Sequence, residues 1–230
     1  MRLYSLLPCV ALLLPMLCQA NGLTLGATRM IYDAGRKEVS VPLRNGVRDT
    51  PHLVQSWVSD FDQRSTENIP FITTPPLFKL AVGGESPVRV VYVGSGATAL
   101  PEDRESLFLL NVRAIPAVEK KQNPTRLTIA TQNIIKLIYR PQGLTAKEAG
   151  QAWQQLKVTP VSGGVSFDNP TPYVVTLTGM SVNGKKIDKA GTIMPHASKV
   201  VPVNDKSVNS VTFSTINDFG GITTPRVINF

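Results

Sequence analysis

Beyond its first twenty residues the chain has no cysteine. Cys9 and Cys18 both precede residue 21, so the remainder forms no disulfide and uses no thiol nucleophile. Histidine is nearly as scarce. His52 and His196 stand alone, with no further ligand at a metal-binding spacing, and both are expected at the surface. No G-x-S-x-G, H-E-x-x-H or Walker pattern occurs. The nearest approach to a nucleotide motif is Gly94, Gly96 and Ala99 after a β-type run. A dinucleotide site needs a helix starting within the glycines, but Pro101 follows almost at once, so a glycine-rich loop is expected. These absences argue against an enzyme and against a metal or cofactor.

Long apolar runs are also missing. Residues 1–20 carry one charge, Arg2, then an apolar stretch from Leu6 to Leu17 interrupted by Pro8 and Pro15, and a small-residue end at Ala20. That is the layout of a cleavable secretory signal, too short for a membrane span of about 20 residues. Cleavage near Ala20 would leave a soluble, exported chain starting at Asn21, with no membrane insertion. The bulky Leu17 before Cys18 argues against lipidation. Losing Arg2 from 24 basic residues leaves 23 against 16 acidic ones, a formal charge of +7. The charges are dispersed, which argues against nucleic acid and points to an acidic partner or to solubility alone.

What is present is a succession of short alternating runs with Pro and Gly between them. LTLGATRMIY, KEVSVPLRN, HLVQSWVSDF, SPVRVVYVG and ESLFLLNVRAI come first; LKVTPVSGGVSFDN, YVVTLTGMSVNG, KVVPV, VNSVTFSTIND and RVINF follow. The pattern predicts an all-β fold of sandwiches. One segment, Thr145–Gln155, reads as helical, just after Arg140-Pro141-Gln142-Gly143. The boundary is placed there, giving domains at 21–142 and 143–230, each with its own core because no disulfide can staple it.

Two cations sit oddly. In LTLGATRMIY, read as one strand, Arg29 shares parity with Leu23, Leu25, Ala27 and Ile31 on the expected apolar face. In RLTIATQNIIKLIYRP, Lys136 lies between Ile134 and Ile138 on its own face, within a run well beyond the usual 5 or 6 residues. Two readings fit. A lysine on a sheet edge can guard against aggregation and Arg29 can pair with an internal carboxylate, or both cations can receive something from outside.

Arg29 in the first strand, Thr74-Pro75-Pro76, PEDRESLFLLNVRAIP at 101–116, IIKLIYRP at 134–141, DNPTPY at 168–173 and INDFGG at 216–221 occur in an order that resembles the PapD-like periplasmic pilus-assembly chaperones, in their short-loop branch. The resemblance implies two immunoglobulin-like β-sandwich domains at an angle. It implies a non-enzymatic periplasmic protein that caps pilins by donor-strand complementation and delivers them to an outer-membrane usher, without a cofactor. Arg29 and Lys136 match the cations that hold the subunit's C-terminal carboxylate. Leu127 and Ile129 match apolar donor-strand positions, with Thr131 where a third apolar residue is usual. Glu105, Arg140 and Asp218 match an interdomain charge network. On this reading the long run is apolar on both faces because one face packs its own sandwich and the other serves a client. The alternative is a secreted structural pilus subunit or adhesin of the same sandwich class.

Overall fold

The computed structural model describes residues 22–63, 65–117, 127–205 and 207–230. The expected secretory signal and Arg126 lie outside them. In chain order the first domain contains β1 (Thr24–Leu25), β2 (Arg29–Asp33), β3 (Val39–Arg44), β4 (His52–Asp60), β5 (Phe71–Thr74), β6 (Leu77–Leu80), β7 (Glu85–Tyr92), β8 (Ser106–Pro116) and β9 (Thr131–Arg140). One sheet has the order β1-β3-β7-β5 and the other β2-β9-β8-β4-β6. Between them lies a core that includes Met30, Tyr32, Val41, Leu43, Val88, Leu110, Leu137 and a group of aromatic rings around Phe71.

The second domain repeats the plan with β10 (Lys157–Val161), β11 (Gly164–Asn169), β12 (Val175–Val182), β13 (Lys185–Ile187), β14 (Thr192–Ile193), β15 (Ala197–Pro202), β16 (Ser210–Thr215) and β17 (Arg226–Asn229). Its sheets run β10-β11-β15 and β13-β12-β16-β17, with β14 also on β12. A separate core forms around Phe167, Met180, Ile193 and Phe213, with Phe167 and Phe213 edge to face at 5.3 Å. The all-β, two-sandwich expectation therefore holds. The expected helix at Thr145–Gln155 is smaller: one α-turn at Ala146–Ala149, capped by the Thr145 hydroxyl, then a 3-10 turn at Ala152–Gln155. Gly150 and the nearby glutamines give this segment little to bury, so it spans the junction as two turns.

Two further sequence readings need correction. LTLGATRMIY is not one strand. Gly26 hydrogen-bonds Pro42 O, and a Cβ on it would stand 2.5 Å from the Pro42 ring. The chain bends there, leaving β1 antiparallel to β3 and starting β2 parallel to β9 in the opposite sheet. Met30 and Tyr32 consequently fill the core, while Arg29 faces away from it. His52 is not at the surface: it opens β4 with only 6% of its area exposed, between Leu80 and Pro116 on the neighbouring strands. His196 is exposed, as expected.

Candidate functional site

The parallel pairing of β2 with β9 sets the site. Its register puts Arg29 beside Lys136, Ile31 beside Ile138, and Asp33 beside Arg140. Neighbours in register project to one side of a sheet, so Arg29 and Lys136 stand together, facing the second domain. Leu109 and Leu107 of β8 pair with Lys136 and Ile138 and are buried, giving the cations an apolar floor. Across the cleft, Lys136 Nζ donates to the Thr176 hydroxyl at 2.7 Å and Arg29 Nη1 to the Ile216 carbonyl at 3.1 Å.

Both cations are held uncomfortably. Burial pulls the Lys136 ammonium down to about 8, and the neighbouring Arg29 charge pulls the same way. Burial also lowers Arg29, opposed by the charge of Asp218. Arg29 is 9% exposed, and its Nε has no hydrogen-bond partner among the described residues. Among those residues neither cation forms an ion pair; each has only a neutral oxygen. A partly dehydrated pair of like charges facing neutral groups would be stabilised by an anion.

A second charge cluster lies four residues further along β9 and is built oppositely. Arg140 donates through Nε to Glu105 at 2.7 Å and through Nη1 and Nη2 to Asp218 at 2.9 and 3.2 Å. Glu105 spends its other oxygen on the Val174 amide at 2.7 Å, while its own amide donates to Pro172 O. The buried side chain of Asn169 shapes that partner loop: it donates to Tyr173 O and Met194 O and accepts from the Thr171 hydroxyl. Tyr173 places its ring 5.8 Å from the Arg140 guanidinium. Its hydroxyl donates to Glu148 and accepts from the Thr145 amide. Burial works against the Arg140 charge, but its hydrogen bonds to Asp218 and the charge of Glu105 outweigh it and raise its pKa. Burial raises the Glu105 carboxyl, opposed chiefly by Arg140.

The two halves of the chain match the family models described as the N-terminal domain of PapD, "Pili and flagellar-assembly chaperone" (residues 22–145), and the C-terminal domain of "Pili assembly chaperone PapD" (residues 151–227). The chain belongs to the PapD-like pilus-assembly chaperones. The probable fimbrial chaperone protein ElfD of Escherichia coli K12 is 40% identical over 204 residues, 88% of this chain and 84% of the relative. Among solved structures, the chain is similar to the SafB chaperone of Salmonella enterica, determined in complex with the SafA pilin: TM-score 0.79, 30% identity, covering 92% of this chain and 98% of that one. The Escherichia coli chaperone DraB gives a TM-score of 0.76 at 30% identity, covering 91% and 99%.

In this chaperone the residues singled out from the sequence fall in three places. Arg29 and Lys136 adjoin. Glu105, Arg140 and Asp218 bond to one another. Leu127 and Ile129 precede β9 and Thr131 opens it, all beyond the cations, and Leu127 and Ile129 are 84% and 67% exposed. They share parity with the core residues Ile135, Leu137 and Tyr139, so the expected division between an own face and a client face is corrected. The division runs along the strand, with the far end exposed and the near end buried. The opposite face packs Ile138 and Arg140 against the second domain. Sequence reading missed Thr176, the Ile216 carbonyl and Val174, because each acts from across the cleft and carries no local pattern. Tyr173 lay within the DNPTPY motif but had no assigned role.

Proposed function

We infer that this chaperone works in the periplasm by holding a fimbrial subunit along β9, with the subunit's C-terminal carboxylate on Arg29 and Lys136. The observation that carries the reading is the way β2 stops. It begins at Arg29, opposite Lys136, so Thr131–Ile135 of β9 have β8 on one side and no strand on the other among the described residues. An added strand that ends at the two cations while bonding to that free edge has to run parallel to β9, as β2 does. Its carboxylate would replace the neutral oxygens of Thr176 and Ile216, with the arginine fork giving paired hydrogen bonds and the lysine a compact charge. Leu127, Ile129 and Thr131 would face the groove of the subunit. A slip of one residue would reverse every side chain, so the anchored carboxylate fixes register.

Glu105, Arg140 and Asp218 complete the reading as the joint that holds the two sandwiches in one relation. The domain division at 142/143 is supported by separate cores ending at Tyr139 and resuming at Leu144. Transfer to an outer-membrane usher, and export by a signal cleaved near Ala20, belong to the same proposal. Among the described residues no helix is long and apolar enough to cross a membrane. A structural pilus subunit or adhesin is not favoured, since both halves match chaperone domains, and chaperone membership implies a non-enzymatic role.

The test compares a synthetic peptide of a fimbrial subunit's C-terminal strand as free acid and as amide. Removing one side of a desolvated charge pair costs about 2–5 kcal/mol, so the amide is expected to bind roughly 30-fold to several thousand-fold more weakly. Equal binding would refute the carboxylate anchor.

A further inference from the structure

The hairpin after β16 closes the cleft from the second sandwich, and its backbone is fixed from within. Asn217 Oδ1 accepts from Phe219 N at 3.1 Å and Gly221 N at 2.8 Å, and Asn217 and Gly220 add two backbone bonds. Three contacts clamp the hairpin to the first sandwich. Ile216 O accepts from Arg29, Asp218 binds Arg140, and Gly220 packs against Thr28 so closely that a Cβ would lie 2.6 Å from the Thr28 hydroxyl. Gly220 also has φ +83°, a conformation that favours glycine. On this clamped hairpin Phe219 is 95% exposed and Ile222 is 71% exposed.

An isolated exposed apolar side chain ordinarily carries no meaning. Phe219 differs in where it is and how it is held. Its neighbours in sequence touch Thr28, Arg29 and Arg140, so the hairpin that carries it lies beside the start of β2, where the edge of β9 becomes free. An aromatic ring in water adds nothing to the fold, yet the hairpin is ordered around it, and rigid aromatic side chains are the typical anchors of protein interfaces. The same hairpin supplies Ile216, Asn217 and Asp218 to the cleft proposed to take the client.

We propose that Phe219, with Ile222 on the same hairpin, is a second contact for the fimbrial subunit, packing on apolar surface of the subunit's folded body beside its anchored C-terminus. This rests on the carboxylate-anchor reading, and the experiment separates the two. Each fimbrial subunit of the source organism is co-expressed singly with the full chain, and work continues with one retained by the unmutated protein but not by Lys136→Ala. If none is retained, or Lys136→Ala retains them equally, the anchor reading fails and this inference with it.

For a retained subunit, Phe219→Ala is expected to weaken binding about ten- to a hundredfold, the scale of losing one buried aromatic side chain. Phe219→Leu is expected to recover most of that loss. The melting temperature of the free chaperone should stay unchanged, as should its affinity for the isolated C-terminal-strand peptide, which lacks the subunit body. A benzophenone cross-linker at position 219 should join the chaperone to the subunit. Unchanged subunit binding by Phe219→Ala, equal weakening of peptide and subunit, or cross-links only to a second chaperone copy or to an usher would overturn the proposal.

Discussion

Two charge clusters line the same cleft, four residues apart on β9, and they have opposite compositions. Around Arg140 one cation meets two carboxylates, a backbone amide and an aromatic ring. Around Lys136 two cations meet a hydroxyl and a carbonyl. Similar burial and the same strand thus give one closed cluster and one open cluster. The difference lies in which elements reach across from the second domain: Asp218 points at Arg140, while only neutral oxygens reach Lys136 and Arg29. A closed cluster contributes to holding structure, and an open one remains available to a ligand.

The comparison breaks most visibly at Arg140. Arg140→Ala leaves Glu105 buried without its cation, which should lower the unfolding free energy by about 3–5 kcal/mol. Urea denaturation measures this, and a loss below about 1 kcal/mol would show that the cluster does not hold the fold. Removing a member of the open cluster should do the reverse. Arg29→Met or Lys136→Met takes away one of two dehydrated like charges, so melting temperature should hold or rise. Affinity for a free-acid client peptide should fall by about 2–5 kcal/mol. A lower melting temperature with intact peptide binding would make these cations structural.

Smaller effects sharpen the same contrast. Ile129→Asp and Leu127→Asp alter exposed side chains, so stability should stay within about 0.5 kcal/mol of the unmutated protein. Client binding should weaken by at least the 1.5–3 kcal/mol of a buried aliphatic side chain. Failure to fold would assign both residues to the chaperone's own core.

The smallest effect is on pH dependence. Lys136 titrates near 8 in the folded protein against 10.5 ordinarily, so between those values the unfolded chain binds more protons. Stability contributed through this residue therefore rises with pH across that window, and the advantage of Lys136→Met over the unmutated protein should shrink there. Free-acid peptide binding should weaken above pH 8, by at most about tenfold per unit. The Lys136→Met variant should show no such slope.

The two-sandwich fold was legible because alternation and turn residues recur along nearly the whole chain. The site was legible only where a residue contradicts its surroundings, as Lys136 does between Ile134 and Ile138. Arg29 stood out for a mistaken reason, since parity with Leu23 and Leu25 means nothing once Gly26 moves the chain to the other sheet. The short strands β5 and β6 went unread because Pro75-Pro76 separates runs of four residues, too few for a period to show. Thr176, Val174 and the Ile216 carbonyl were invisible for a different reason. Their meaning arises from a partner some 40 to 190 residues away, and no local pattern encodes that distance.

The partners of the two open cations come late in the chain. Arg29 and Lys136 are complete once the first sandwich exists, but Thr176 and Ile216 belong to the second, which is synthesised afterwards. A first sandwich alone would present the two cations without that opposing wall, and Arg140 without Asp218. If the carboxylate anchor holds, a client's C-terminus meets a finished cleft only after both sandwiches have folded and docked.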